Sequence, residues 1–336
     1  MINMLPHERK KMHKSVRLKH EEFKKKSEPL QNKGLKILKP EELTRRDVIA
    51  ILDQASKLKN PSKMLLGFKL NAAELYSRGI YLKDIISILP LDDLYKLGFD
   101  FESVAQLSLK LNNNKNINDV ISFGTRYKKL DKAISALLAQ KIKLEEIIQS
   151  MLKNNVSLYE TIGAVKNKVK LHVLVKSLLE LKKVKVYDIF SNLYFNNYDL
   201  IEITKELASF NVPLENLVDV MKNIDIDAET ISKTLLSVSE SPSTIAKVML
   251  YSKYSVFETT RSLLRAGVSP VLVAKAMLSS KVKESKLAEI FIKLGIDAYS
   301  TTRYLSEAGA NIDNIALGLL NADVDKDTIR DIFSNK

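Results

Sequence analysis

The chain carries a repeat of fixed length: from Lys183 to Lys336 it divides into eleven consecutive units of fourteen residues. The units begin at positions 183, 197, 211, 225, 239, 253, 267, 281, 295, 309 and 323. Self-similarity at a short fixed spacing is typical of stacked repeat architectures, in which each unit packs on its neighbours. The repeat therefore predicts a stack of similar elements rather than a single globular core.

The unit has fixed apolar positions. Position eleven is always large and apolar, and it holds Leu193, Leu207, Met221, Leu235, Met249, Leu263, Met277, Phe291, Leu305, Leu319 and Phe333. Position seven is aliphatic in nine of the eleven units, with Thr259 and Thr301 as the exceptions, and position eight is mostly small. Residues four apart lie on one face of an α-helix. Each unit is therefore predicted to form one helix with an apolar face.

The ends of these helices are also marked in the sequence. In most units, position three carries a side chain that can accept hydrogen bonds from the first amides of a helix, namely Asp199, Asp227, Ser241, Ser255, Ser269, Asp297, Asn311 and Asp325. Position one is Gly, Asn or Asp in seven units, and these residues tolerate the left-handed conformation beyond a helix end. The pattern predicts helices of ten or eleven residues and three-residue turns. Helices about 15 Å long need stacking to be stable.

Three segments follow from where the repeat holds. With one-residue slips the pattern extends back to Tyr127, so residues 127–336 are predicted to form the regular repeats. Residues 41–126 are interpreted as a degenerate helical cap that opens at Thr44, because terminal repeats of a solenoid depart from the consensus. Residues 1–40 are interpreted as a basic N-terminal arm and linker.

A longer period lies over the short one, since residues 253–294 and 295–336 align over three units. A three-helix grouping of 42 residues resembles the general plan of armadillo repeats, whereas an alternating two-helix grouping of 28 residues is equally compatible with the pattern. The predicted fold class is all-α, an α-solenoid of short helices in 14-residue units. It is similar to armadillo and HEAT proteins in general architecture only.

Signals for catalysis and metal binding are poor. The chain has no cysteine, and its ten glycines form neither a G-x-G-x-x-G nor a P-loop motif. His7, His13 and His20 have spacings that do not suit zinc ligation, and His172 is interpreted as a structural or surface histidine. No nucleophile, base and orienting residue can be assembled. We therefore expect no enzyme activity, no cofactor and no metal site.

The sequence also bears on location. No apolar run reaches the roughly 18 residues of a membrane span, so no membrane partner is expected. The first residues lack the apolar stretch of a secretion signal. The expected location is intracellular, either cytoplasmic or organellar, or else a virion.

Positive charge is concentrated in the first half of the chain. Residues 1–46 contain 14 Lys and Arg against six Glu, residues 47–182 contain 21 basic against 14 acidic residues, and the remainder has a net charge of −2. Basic clusters attract phosphate backbones through counterion release. The candidates for nucleic-acid contact in the arm are Arg9, Lys10, Lys11, Lys14, Arg17, Lys19, Lys24, Lys25 and Lys26.

A second candidate set lies in the turns between units. Lys141 and Lys143 form one pair, and Lys168 and Lys170 form the other. If helices alternate in direction, both pairs fall on the same rim of the stack, where they would follow a phosphate backbone. Solvated turn lysines without any partner are the alternative, because lysine is mostly exposed in proteins.

An aromatic concentration near the start of the regular repeats comprises Tyr187, Phe190, Tyr194, Phe195 and Tyr198. Stacking on nucleic-acid bases is one interpretation. Core packing is favoured, because Phe190 takes a core position and Tyr198 takes the second position of the unit, which is apolar in ten of eleven units. Residues 183–238 also have a net charge of −4, which disfavours a phosphate groove there.

These observations favour a non-enzymatic helical-repeat scaffold within a nucleic-acid-containing assembly, either a ribonucleoprotein or a virion, anchored by the basic N-terminal arm. Its expected partners are other proteins of the assembly and the phosphate backbone of RNA or DNA. The alternative is a purely protein-binding structural solenoid whose basic arm docks on an acidic protein partner.

Overall fold

The computed structural model describes residues 43–111, 117–181 and 183–334. Across these ranges the chain forms 22 short helices and no strand, so the predicted α-solenoid class is confirmed. The helices fall into two compact units that divide between Lys168 and Val169. The predicted division at residues 126/127, between a degenerate cap and regular repeats, stays a prediction.

The first unit contains ten helices. They are α1 (Arg45–Ala55), α2 (Pro61–Gly67), α3 (Ala72–Ser77), α4 (Leu82–Ile85), α5 (Leu91–Lys96), α6 (Phe101–Leu111), α7 (Ile117–Arg126), α8 (Leu130–Ala139), α9 (Leu144–Lys153) and α10 (Leu158–Val165). The predicted helix start at Thr44 is confirmed, because the Thr44 side chain caps α1 and the Asp47 side chain accepts a hydrogen bond from the Thr44 amide. The helices before α6 vary in length, whereas those from α8 onwards approach ten residues.

The second unit contains twelve helices of nine or ten residues. They are α11 (Leu171–Leu179), α12 (Val186–Phe195), α13 (Leu200–Ser209), α14 (Leu214–Asn223), α15 (Ala228–Ser237), α16 (Pro242–Tyr251), α17 (Val256–Arg265), α18 (Pro270–Ser279), α19 (Glu284–Lys293), α20 (Ala298–Glu307), α21 (Ile312–Asn321) and α22 (Lys326–Ser334). Nearly all begin at position four of the 14-residue unit, as predicted.

Side-chain caps explain these helix starts. Ser255 caps α17 in a reciprocal arrangement: its Oγ accepts from the amide of Glu258 at 3.1 Å, and the Glu258 carboxylate accepts from the amide of Ser255 at 3.0 Å. Asp227 caps α15 through the amide of Thr230 at 2.9 Å. Ser269 is an exception, because it occupies the same position before α18 without a side-chain capping bond.

The turns between helices rest on one left-handed residue at position one. Gly295 has φ 83°, and the amide of the next residue, Ile296, donates to the carbonyl of Phe291 at 3.0 Å. This bond spans six residues and satisfies a carbonyl at the helix end. Non-glycine residues take the same conformation in other units, including Lys253 at φ 61° and Lys281 at φ 64°. Position two of the unit is apolar in ten of the eleven units, with Glu240 as the exception.

The stacking pattern in the second unit settles how the helices are grouped. Each helix packs on the next but one, and nearly all also pack on the next helix, as α16 does on α18 and α17. Even-numbered helices therefore form one layer and odd-numbered helices form the other. Within the odd layer, Ser232 of α15 donates a hydrogen bond to Ser262 of α17 at 2.9 Å across 30 residues. The packing repeat is accordingly two helices and 28 residues, not three helices and 42.

The first unit shows the same alternation only in its later part. There α6 packs on α8, α7 on α9, and α8 on α10. Before that point, α1 packs on α2 and α2 packs on α5, so the layers are not yet regular. The buried Asp93 of α5 accepts hydrogen bonds from the amide and the hydroxyl of Ser62, and it thereby caps the start of α2.

Apolar side chains at positions seven and eleven fill the space between the layers and are fully buried in most units of the second unit. Phe190 belongs to this core, as predicted. The prediction of core packing is wrong for Tyr187 and Phe195, which are 43% and 55% exposed. They take positions five and thirteen of the unit, outside the buried positions seven and eleven. Tyr198 is half-buried, and this burial raises its pKa to about 12.

Candidate nucleic-acid interface

Most of the basic residues predicted to contact nucleic acid lie outside the described residues. This applies to the nine candidates of the arm, which are Arg9, Lys10, Lys11, Lys14, Arg17, Lys19, Lys24, Lys25 and Lys26. The other four candidates are Lys141, Lys143, Lys168 and Lys170, and each of them is exposed in a turn or at a helix start. Their role in binding stays a prediction.

Three of these lysines belong to the first unit. Lys141 is the left-handed residue of the turn after α8, with φ 58°, and Lys143 is the N-cap of α9. Lys168 follows α10, and its Nζ donates to the hydroxyl of Ser135 on α8 at 2.8 Å. The turn after α10 therefore lies beside the neighbouring helix of its layer. Lys170 is the N-cap of α11 and belongs to the second unit.

The structure adds a groove in the first unit that the sequence did not predict. It has a volume of about 510 Å³ and lies between α3, the start of α4 and α6. Its lining comprises Tyr76, Tyr81, Leu82, Lys83, Ser103, Gln106, Leu107 and Lys110. We call it the tyrosine–lysine groove, after Tyr76, Tyr81, Lys83 and Lys110.

Two half-exposed tyrosine rings line this groove. Tyr76 is 46% exposed and Tyr81 is 49% exposed, and their ring centroids are 5.9 Å apart. Tyr76 is held by an edge-to-face contact with the buried Phe99, at 5.5 Å between ring centroids. Lys83 places its Nζ 5.7 Å from the centroid of the Tyr81 ring. Phe99 therefore supports the Tyr76 ring, and both tyrosine rings remain about half exposed to solvent.

The charge of the groove is positive. None of the eight lining residues is acidic, and Lys83 and Lys110 are both exposed. Two carboxylates close to the lining residues in sequence are engaged locally: Asp84 accepts from the amide of Tyr81 at 2.9 Å, and Glu102 accepts from the Gln106 side chain at 3.2 Å. Cations beside exposed aromatic rings suit an anionic ligand with flat bases.

The other candidate from the sequence, His172, lies at the start of α11 and is exposed, in agreement with its predicted surface role. Its Nδ1 is 2.8 Å from a carboxylate oxygen of Glu206, and its ring stacks on Phe210 at 4.9 Å. These contacts join α11 to α13. They account for the histidine as a packing residue, and in the described ranges no three His, Asp or Glu residues are grouped so that they could hold a metal ion.

The tyrosine–lysine groove is not predictable from the sequence pattern because it forms where the 14-residue repeat fails. Its residues come from three helices of different length, and no regular spacing relates Tyr76 to Lys110. The available signal was compositional: Tyr76, Tyr81 and Lys83 lie within eight residues of a chain segment with a strong positive balance.

Fold and groove together define the class of this chain as an α-solenoid with a basic, aromatic surface. The sequence matches no protein-family model, and it has no significant match among curated proteins. None of the helices in the described residues combines the length and the apolar character that crossing a membrane requires.

Proposed function

We propose that the protein is a non-enzymatic helical-repeat scaffold that binds nucleic acid within a larger assembly, a ribonucleoprotein or a virion. Its basic N-terminal arm, residues 1–40, and the basic first unit supply the contacts to the phosphate backbone. The regular helices of the second unit present surfaces to other proteins of the assembly. Stacked repeats suit this role, since they offer extended surfaces rather than enclosed sites.

The observation that carries the proposal is the tyrosine–lysine groove. It combines exposed rings with lysines in the part of the chain that holds the whole net positive charge. Base stacking on an aromatic ring contributes about 1–3 kcal/mol per base, and lysine contacts to phosphate add a salt-dependent term. The exposed turn lysines Lys141, Lys143 and Lys168 add positive charge to the same unit.

The test is a salt titration of binding to a single-stranded oligonucleotide of about 30 nucleotides, longer than one short binding site. Wild type is compared with a chain lacking residues 1–40 and with the double variant Lys83→Gln and Lys110→Gln. Each lost phosphate contact should lower the slope of log affinity against log salt by about 0.7. The double variant should therefore have a salt slope about 1.4 smaller than that of wild type, and the arm deletion should reduce the slope further.

The matched control is the double variant Lys63→Gln and Lys96→Gln, which removes two exposed lysines of the first unit that do not line the groove. It should leave the slope nearly unchanged. The proposal is contradicted if the affinity of wild type does not depend on salt, or if both double variants lower the salt slope equally. Retained binding to an acidic protein under those conditions would instead support the alternative, a protein-binding solenoid.

A further inference from the structure

A set of basic side chains becomes visible once alternate helices are recognised as neighbours. Position nine of the unit is Lys247 on α16, Lys275 on α18 and Arg303 on α20. These three helices follow one another in the even layer of the second unit, since α16 packs on α18 and α18 packs on α20. We call Lys247, Lys275 and Arg303 the basic row.

The basic row lies on the outer face of its layer. All three side chains are exposed, whereas positions seven and eight of the same helices point inward and are buried, as Ile245 and Ala246 are on α16. Packed helices lie about 8–10 Å apart. Three cations at the same helix position therefore extend across roughly 20 Å of surface at that spacing.

Exposed rings accompany the basic row. Tyr251 is four residues after Lys247, and Tyr299 is four residues before Arg303, so each ring shares a helix face with its cation. Tyr251 is 72% exposed and Tyr299 is 57% exposed. Each of the two outer helices thus presents one cation and one ring to solvent.

Acidic residues are nearly absent from this face. Among α16, α18 and α20 the only carboxylate is Glu307, at the last residue of α20. Within the described part of the chain, none of the three cations of the basic row forms an ion pair. The guanidinium of Arg303 lies 5.0 Å from the ring of Tyr304 instead.

The odd layer offers a direct comparison. Position nine is also basic on α13, α15 and α17, at Lys205, Lys233 and Arg261, which we call the matched row. Those helices carry four acidic and four basic residues, so their charges cancel. Lys233 pairs with Glu229 at 2.7 Å. The matched row therefore has the same repeat geometry without the same net charge.

The surface that carries the basic row ends before α14. On α14, the helix before α16 in the even layer, position nine is Asp219. Glu215 of α14 lines a groove of about 360 Å³ together with Lys247. The basic face therefore starts at α16 and continues to α20, and its length fits a short stretch of an extended polyanion.

We infer that the outer face of α16, α18 and α20 is a second binding site for single-stranded nucleic acid, in which the basic row contacts phosphates and Tyr251 and Tyr299 stack on bases. The inference rests on the proposed function and extends it to the second unit. A single strand is favoured over a duplex because only unpaired bases are free to stack on exposed rings. The positive charge of the basic row favours a polyanion, and the exposed tyrosine rings favour a polyanion that carries unpaired bases.

The experiment compares two triple variants of the full chain: Lys247→Gln, Lys275→Gln and Arg303→Gln, against Lys205→Gln, Lys233→Gln and Arg261→Gln. Both remove three positive charges at position nine. Binding to the single-stranded oligonucleotide is measured between about 50 and 200 mM salt. Loss of the basic row should lower the salt slope by about 2, since each phosphate contributes about 0.7, while loss of the matched row should change it little.

A second variant tests the rings. Tyr251→Ala with Tyr299→Ala should weaken binding to the single strand about five-fold or more for each stacked base, and it should not weaken binding to a duplex of the same length. Both tyrosines are highly exposed, so these changes leave the core intact. Circular dichroism and urea unfolding confirm that the variants are folded.

The outcomes separate this inference from the proposed function. If the groove variant at Lys83 and Lys110 lowers the slope but the basic-row variant behaves as the matched-row variant does, the second site is refuted and the proposed function stands. If polyglutamate of equal charge binds with the same dependence on the basic row, and the tyrosine variant is silent, the assignment to nucleic acid is overturned.

Discussion

Gly318 of α21 lies so close to α19 that a Cβ at Gly318 would be 2.6 Å from the Cβ of Ala288. The same hypothetical atom would clash with the backbone carbonyl of Ser285. Position ten of one helix thus packs against positions five and eight of the next helix in its layer. The pair α19 and α21 approaches closely because both residues at the contact are small.

Replacing Gly318 by Ala should therefore destabilise the second unit. Overpacking costs about 1–3 kcal/mol, and the better helix propensity of alanine returns up to about 1 kcal/mol, so a net loss of about 1–2 kcal/mol is expected. Urea unfolding measures it. Gly67→Ala is the control, because a Cβ on Gly67 would meet nothing within 4 Å. Equal stability of both variants would contradict the close packing.

Ser255 caps α17 with its side chain, whereas Ser269 at the same position before α18 does not, and this difference gives a second prediction. Ser255→Ala removes the hydrogen bond to the amide of Glu258 and should cost about 1 kcal/mol in unfolding free energy. Ser269→Ala should cost less, because Ser269 makes no side-chain capping bond. The two substitutions are chemically identical and sit at the same position of neighbouring units. Similar losses would show that the cap at Ser255 contributes no stability of its own.

Acid should weaken the fold through its capping carboxylates. The backbone amide of Ser255, followed by its hydroxyl, lowers the pKa of Glu258 below the ordinary value of 4.5. Because the folded pKa is the lower one, Glu258 stabilises the fold above the unfolded pKa, and this contribution disappears as pH falls through the folded pKa. Asp227, whose pKa is lowered by Thr230, acts in the same direction. Unfolding free energy should therefore decline below pH 4.5.

The variant Glu258→Gln isolates this effect. Glutamine keeps the size of the side chain but has no titrating group, so the decline of stability below pH 4.5 should be shallower than in wild type. Denaturant titrations at a series of pH values measure the difference. Parallel curves for wild type and variant would exclude a stabilising role for the ionised Glu258.

Thr259 provides a prediction of increased stability. It replaces the usual aliphatic residue at position seven, is fully buried, and its Oγ1 has no hydrogen-bond partner among the described protein atoms. Thr259→Val exchanges the hydroxyl for a methyl group of similar shape and should raise the unfolding free energy by about 1 kcal/mol or more. Thr301→Val is the matched change, because Thr301 Oγ1 donates to the carbonyl of Ile296 at 3.4 Å. Thr301→Val should raise the unfolding free energy by less than Thr259→Val does. A larger increase for Thr301→Val would show that the unpaired hydroxyl of Thr259 does not cost stability.

Local features of the fold were predictable from sequence because local physics determines them. Helix starts follow from side chains such as Asp227, which bond to amides three residues away, and helix ends follow from residues that tolerate positive φ. The pairing of layers was not predictable, because it depends on contacts such as Ser232 with Ser262 across 30 residues. Two groupings satisfied the same sequence pattern, and only packing distinguishes them.

The candidate site was predictable only in part. Charge counts direct attention to the first half, and the tyrosine–lysine groove lies there, yet the groove joins Tyr76 to Lys110 through helices that break the repeat. The exposure of Tyr187 and Phe195 was not predictable, because the apolar character of a residue does not show whether its side chain faces the core or the solvent. Comparing every second unit, rather than consecutive units, brings Lys247, Lys275 and Arg303 into one line.

The two-layer arrangement has a consequence for how the length of this chain can change. Removing or inserting one 14-residue unit would move every later helix into the opposite layer and turn its outward residues to the other side of the stack. Removing or inserting 28 residues would leave all sides as they were. Gain or loss of repeats that preserves a surface must therefore occur in pairs, and a single-unit insertion before Pro242 would transfer the whole basic row to the opposite side of the protein.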